Sequence, residues 1–238
     1  MAARCRNVNA IPSSTESIEG ELWSQGFARL GNVLSTHDCE ALRALYSDEF
    51  RFRSTIEMER YRFGRGSYRY FCYPLPQPVE ELRQRFYELL SPVANVWMEA
   101  LGLDQRFPSA LSPFLHICHE QAQNRPTPLL LRYRAGDFNC LHQDIYGPLV
   151  FPFQVIVSLS DPESEFRGGE LLLVEQRPRA QSIGHAVRLE KGEAVAITTR
   201  YRPIQGRRSF YRANFRHGVS RVHSGERFAL GLIFHDAA

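Results

Sequence analysis

Lysine is nearly missing from this sequence: of 29 basic residues one, Lys191, is lysine and the other 28 are arginine. We read this as a bias of the source genome. The formal net charge of +3 is too small to argue for a nucleic-acid partner by itself. Long apolar runs are missing too. Nothing approaches the roughly 18 residues of a membrane span, and no apolar stretch follows the basic residues near the N-terminus as it would in a secretory signal. The expected address is the cytoplasm, away from any membrane. The cysteines (Cys5, Cys39, Cys72, Cys118 and Cys140) are odd in number, scattered, and without a Cys-x-x-Cys pair. That excludes a disulfide framework and a thiolate zinc site. No internal repeat or low-complexity segment is present.

A chain of 238 residues can bury one large core, with or without an attached helical subdomain. Residues 1–13 read as a flexible tail, and residues 14–125 as an N-terminal, largely helical region. In it, Ser14-Thr15-Glu16-Ser17 offers caps for a helix through Trp23, residues 27–34 suit a strand, and Ser35 or Thr36 caps a second helix carrying Leu42, Leu45 and Tyr46. Residues 59–73 are expected to form a β-hairpin turning at Gly64-Arg65-Gly66. Tyr61, Phe63, Tyr68 and Tyr70 would share one face, with Arg60, Arg62 and Arg69 on the other. Helices follow at about 79–103, interrupted or kinked at Pro92, and at 109–122, where His116 and His119 read as structural. From residue 126 the texture changes to eight short strands, at about 127–134, 138–143, 149–160, 169–174, 185–189, 193–198, 209–216 and 227–234. The expectation is an α+β protein: a jelly-roll β-core over 126–238 with the N-terminal helices packed against it.

Chemistry concentrates in the core. His142 and Asp144 are two residues apart on an extended segment and so project from one side. With His217 they make two imidazoles and a carboxylate, the facial triad that leaves the opposite side of a divalent iron open. Arg227, in an apolar strand, needs a buried anion, which a planar carboxylate satisfies through two parallel hydrogen bonds. Tyr133 lies nine residues before His142, where its hydroxyl reaches the same anion. Asn139 and Tyr146 flank the ligand pair as candidates for the mouth.

His142-Gln-Asp144, Arg167-Gly-Gly-Glu-Leu171, Lys191-Gly-Glu-Ala-Val-Ala-Ile197 and His217-Gly-Val-Ser-Arg…Gly225-Glu-Arg227, in that order, resemble the 2-oxoglutarate- and Fe(II)-dependent dioxygenase superfamily. The resemblance implies a double-stranded β-helix core. It implies Fe(II) on His142, Asp144 and His217, with 2-oxoglutarate on Arg227 and Tyr133 and O2 as second cosubstrate. The implied reaction oxidises a substrate C–H bond with release of succinate and CO2. Arg132-Tyr-Arg-Ala-Gly-Asp-Phe-Asn-Cys-Leu-His-Gln-Asp-Ile-Tyr-Gly147 further resembles an uncharacterised bacterial group associated by similarity with AlkB-type repair of alkylated nucleic acids.

Alkylated DNA or RNA is therefore an expected partner, with Arg60, Arg62 and Arg69 as candidate contacts. The ten-residue interval from His217 to Arg227 and the Gly-Gly-Glu-Leu segment look more like prolyl-hydroxylase-type members. A hydroxylase of a protein side chain or small molecule is the alternative. A non-catalytic metal or 2-oxoglutarate sensor, and a zinc hydrolase, stay in competition.

Overall fold

The computed structural model describes residues 14–238, so the tail expected over 1–13 lies outside the described residues. Two antiparallel sheets face each other. The larger has the strand order β1 (Phe27–Asn32), β11 (Glu193–Thr198), β7 (Phe153–Ser158), β14 (Val222–Ile233), β5 (Leu129–Arg134), β4 (Ser67–Phe71) and β2 (Phe52–Glu57), with β8 (Phe166–Gly168) attached to β14. The smaller runs β10 (Ile183–Val187), β9 (Leu171–Gln176), β13 (Phe210–Val219), β6 (Phe138–His142) and β3 (Gly64–Arg65), with β12 (Tyr201–Gln205) on β13. The α+β jelly-roll expectation holds. Strands β8 and β12 were not anticipated, and β1, β2 and β4, from the N-terminal region, join the larger sheet.

Four helices cover the outer face of that sheet: α1 (Thr15–Gln25), α2 (Thr36–Ala44), α3 (Gln77–Ala100) and α4 (Leu111–Glu120). Ser14 caps α1 by accepting from the Ser17 amide at 3.2 Å, and Ser35 and Asp38 form a reciprocal capping box on α2. On α3 the buried stripe Leu82, Phe86, Leu90, Ala94 and Trp97 recurs at helical spacing. It packs in one cluster with Phe153, Val155 and Leu230 of the sheet. Pro92 sits inside α3 on its exposed side without ending the helix. Strand β7 is buried at every position, because helices cover one face and the smaller sheet the other.

The hairpin expected at 59–73 is displaced. Strand β2 pairs with β4, so the two arms are 52–57 and 67–71. Residues 58–61 form a 3-10 turn, and Gly64 and Arg65 pair with β6 of the opposite sheet. Gly64 sits at φ +152°, and a β-carbon there would meet the Phe138 carbonyl oxygen at 2.5 Å. The glycines that suggested a tight turn instead allow this close crossing between sheets. The predicted separation of Tyr68 and Tyr70 from Arg69 does occur on β4. Arg69 turns away from the sheet interface, donating to the Tyr46 carbonyl at 2.9 Å and lying over the rings of Tyr46 and Phe52.

The C-terminal end of β14 is clamped from α3. Fully buried Arg83 donates to the carbonyls of Ile233 (3.0 Å) and Phe234 (3.2 Å), and to Asp236 at 2.8 Å. Asp236 also accepts from Tyr73, at 2.9 Å, and lies 2.9 Å from His119 Nε2. Next to it, His235 Nδ1 accepts from the Phe151 amide at 3.3 Å, and burial pushes this imidazole down to about 4. Among the described residues no helix is long and apolar enough to cross a membrane.

Asp236→Ala would leave the Arg83 guanidinium buried without its carboxylate. A loss of about 3–5 kcal/mol is expected in urea titration. His235 adds a pH dependence: between the unfolded value near 6.5 and the folded value of about 4, only the unfolded chain takes up the proton. Stability therefore falls as pH drops through that window, by about 3 kcal/mol at about 1.4 kcal/mol per pH unit. His235→Asn, which keeps an acceptor for Phe151, is expected to flatten that part of the stability–pH curve.

Candidate functional site

The site lies between the two sheets, and each sheet contributes through register. On the smaller one, β13 and β6 pair His217 directly with His142. Asp144 follows just after β6. One ligand atom from each of His142, Asp144 and His217 can be chosen so that all lie within 4.8 Å of one another. His217 Nε2 is 3.2 Å from Asp144 Oδ2, and His142 Nε2 is 3.6 Å from Asp144 Oδ1.

The rear nitrogens of both rings are occupied. His142 Nδ1 donates to the Cys140 carbonyl at 2.8 Å, which leaves its Nε2 lone pair facing the cluster. The side-chain amide of Gln154, on β7, lies 3.4 Å from His217 Nδ1. Tyr146 donates to Asp144 Oδ1 at 2.6 Å, and Tyr70 donates in turn to the Tyr146 hydroxyl at 2.9 Å. These contacts orient the three side chains as outer partners orient metal ligands.

The charges suit a cation. Burial alone would raise the Asp144 carboxyl, but its bond from His217, the two imidazoles and the Tyr146 hydroxyl hold it well below the usual carboxylate range. Burial and the neighbouring His217 push His142 below its ordinary value, so it is neutral at neutral pH. Burial and the Asp144 charge raise Tyr146, which keeps its proton to donate. Two imidazoles beside an ionised carboxylate match the donor set of a divalent metal.

The larger sheet supplies the other half. Arg227 on β14 is the cross-strand partner of Tyr133 on β5, and Ala229 and Gly231 face Leu131 and Leu129 in the same register. These residues line a cavity of about 270 Å³ together with the triad, Asn139 and Tyr146. Arg227 is 4% exposed and has no ion-pair partner among the described residues, with its guanidinium 5.5 Å from the Tyr133 ring. A buried guanidinium without a carboxylate calls for an anion from outside the chain. Gly168 and Gly169, at φ +74° and +65°, explain the Gly-Gly motif. A β-carbon on Gly169 would come within 3.0 Å of Arg227 Cδ. A larger surface cavity of about 610 Å³ also reaches Arg227, from the side of Glu163, Arg167 and Arg188, but holds none of the triad.

Tyr133 is fully buried and 3.4 Å from Asn139 Nδ2, while Asn139 Oδ1 has no hydrogen-bond partner. Gln143 holds the rim by donating to the carbonyls of Phe215 (2.7 Å) and Arg200 (3.2 Å). Phe63 and Tyr68 line the cavity, and exposed Tyr61 stacks on Phe63 at 5.6 Å. Arg60 and Arg62 are exposed on the same segment, while Arg69 lies outside the cavity, held by Tyr46 and Phe52. Sequence reasoning missed Gln154, Tyr70 and the outer role of Tyr146. Gln154 was the detectable one, as a lone amide in an otherwise apolar strand.

Comparison with known proteins agrees with this geometry. Residues 66–237 match the sequence model of a family of oxygenases described as catalysing oxidative methylation of damaged DNA. The chain is 50% identical over 168 residues to an uncharacterised protein of Mycobacterium tuberculosis, found in strains CDC 1551 and H37Rv, covering 71% of this chain and 72% of that one. In fold it is similar to a Pseudomonas putida prolyl-4-hydroxylase (TM-score 0.52, 13% identity, 94% of this chain and 100% of that one). It is also similar to a Burkholderia pseudomallei oxidoreductase of the 2OG-Fe(II) oxygenase family (0.51, 15%, 98% and 94%). A third likeness is to a viral collagen prolyl hydroxylase from Paramecium bursaria Chlorella virus-1 (0.51, 16%, 90% and 98%).

If the triad holds a divalent metal, anaerobic titration with Fe(II) or Co(II) should give one site per chain, lost in His142→Ala. Tyr146→Phe removes the bond on Asp144 Oδ1 without touching a ligand. It is expected to weaken binding roughly 10- to 100-fold.

Proposed function

The chain belongs to this family of oxygenases, and from that membership and the site's geometry we propose that it is an Fe(II)- and 2-oxoglutarate-dependent dioxygenase that demethylates alkylated bases in nucleic acid. The observation that carries the reading is the pairing, within one cavity, of the His142–Asp144–His217 cluster with a buried Arg227 that lacks a protein anion. The cluster fits a divalent iron, and the guanidinium fits a carboxylate. The description of the family supports nucleic acid as the substrate class. A cytoplasmic location, where 2-oxoglutarate and nucleic acid meet, belongs to the same proposal.

His142 and His217 would hold the metal through one ring nitrogen each and Asp144 through a carboxylate oxygen, with Tyr146 steering the carboxylate. Arg227 would receive the distal carboxylate of 2-oxoglutarate in a charge-assisted pair, and Tyr133 would donate its hydroxyl to the same group. With these groups bound, iron, O2 and 2-oxoglutarate supply the oxidising power that converts a substrate C–H to C–OH, and 2-oxoglutarate leaves as succinate and CO2. An N-methyl group so hydroxylated departs as formaldehyde, so oxidation of an alkylated base runs toward demethylation. Leu131, Ile156 and Ala229 keep the cavity wall apolar and exclude water. Phe63 and Tyr68 offer rings to a base taken out of its stack. The ten-residue interval from His217 to Arg227 favours the second reading, hydroxylation of a protein side chain or small molecule.

The test is incubation with Fe(II), 2-oxoglutarate and air on N-methylated single- and double-stranded oligonucleotides. Formaldehyde and succinate are expected in equal amounts, with neither from His142→Ala. Succinate without formaldehyde from any oligonucleotide would remove nucleic acid and leave the second reading. No succinate at all from folded, iron-loaded protein would leave only a sensor. Arg227→Met should raise the KM for 2-oxoglutarate about 30-fold or more, since breaking a buried charge pair costs about 2–5 kcal/mol.

A further inference from the structure

Between Glu193 and Glu226 the chain carries seven arginines and no acidic residue. Two of the seven are used internally. Arg202 is buried against Glu175 and donates to the Trp23 and Ser24 carbonyls at 2.8 and 2.6 Å, and Arg221 donates to the Gly136 carbonyl at 2.6 Å. The other five, Arg200, Arg207, Arg208, Arg212 and Arg216, are exposed and make no ion pair among the described residues. In a protein with a net charge of only +3, this is where unneutralised positive charge is concentrated.

The fold turns the run into an arm. Strand β12 pairs with Phe210–Asn214 of β13, while β6 meets β13 further along, at His217 and Val219. The β12–β13 hairpin therefore extends from the site end of the smaller sheet, its tip about 25 Å of strand from His217. Its inner face is fixed: Ala213 and Phe215 are buried, and Arg202, the cross-strand partner of Ala213, is tied to the end of α1. Its outer face carries Arg212 and Arg216, with Arg207 and Arg208 at the turn. Arg200 and Arg212 both lie over the Tyr201 ring, at 4.5 and 5.5 Å. Stacking holds the guanidinium planes while their edges stay free to donate. The arm begins at the cavity rim, where the Arg200 carbonyl accepts from Gln143, the neighbour of His142.

We propose that the outer face of this β12–β13 arm is the phosphate-binding surface that leads a nucleic-acid strand to the mouth of the cavity. The proposal rests on the nucleic-acid reading of the site and deepens it. A row of guanidiniums with no carboxylate among them is complementary to a row of phosphates. The Tyr201 ring is already covered by two guanidiniums, so the arm recognises backbone rather than base. Base recognition falls to the cavity.

The experiment measures binding of fluorescein-labelled, unmethylated single-stranded and duplex DNA to the full chain over a range of salt, for wild type, R207E/R208E/R212E and R60E/R62E. Uncoupled succinate formation from 2-oxoglutarate serves as the check that each variant folds and loads iron. The arm variant is expected to bind at least about tenfold more weakly. Its slope of log affinity against log salt should fall by about 2 on single strands, with succinate formation unchanged. Undiminished binding in the arm variant, or loss confined to R60E/R62E, overturns the arm. Absence of any nucleic-acid binding by wild type, or preference for poly-glutamate over DNA, overturns both the arm and the substrate reading. Arm-dependent binding without demethylation of any methylated oligonucleotide supports the arm and sinks the substrate reading alone.

Discussion

Strand β14 is held along its length by β5, β7 and β8, and its end is clamped by a buried arginine from α3. That pairing satisfies the strand's backbone and leaves its side chains no freedom of face. Leu230 and Leu232 must enter the helix-covered core, so Arg227, Ala229 and Gly231 must enter the cavity. A guanidinium placed there is costly to bury. The sheet and the Arg83 clamp hold it in position, and its charge stays available for a ligand.

The two halves of the site come from opposite sheets, and this division sets the chemistry. The smaller sheet brings His142, His217 and the adjoining Asp144, and the larger brings Arg227 and Tyr133. The imidazole–carboxylate cluster and the guanidinium therefore approach one cavity from opposite walls without neutralising each other. Asp144 is the only member of the cluster that could pair with Arg227, and it is engaged by His217 and Tyr146 instead. The likeness of fold to prolyl hydroxylases at 13–16% identity extends over 90–94% of this chain. Likeness of fold does not by itself fix the substrate.

His142 and Asp144 were legible from their spacing of two on an extended segment, Arg227 because a charge in an apolar strand needs a partner, and His217 and Tyr133 with the help of the motifs around them. The strands of the core were legible from a period of two, apart from β8 and β12, the first short and the second paired on one side only. The segment from Met58 to Gly66 was misread because Gly-Arg-Gly has the composition of a turn. Which strand it crosses to meet is decided by residues more than seventy positions away.

The sequence alone determined the donor types, their spacing and the closed β-architecture that brings them together, since alternation and the burial of apolar residues are local demands. Tertiary structure decided the rest. That Gln154 stands behind His217, that Tyr70 and Tyr146 form a line to Asp144, and that Arg69 leaves the site for Tyr46 all depend on contacts between distant strands. Hydrogen bonds between side chains far apart in the chain are set by sheet register and twist, and no local pattern of residues encodes them.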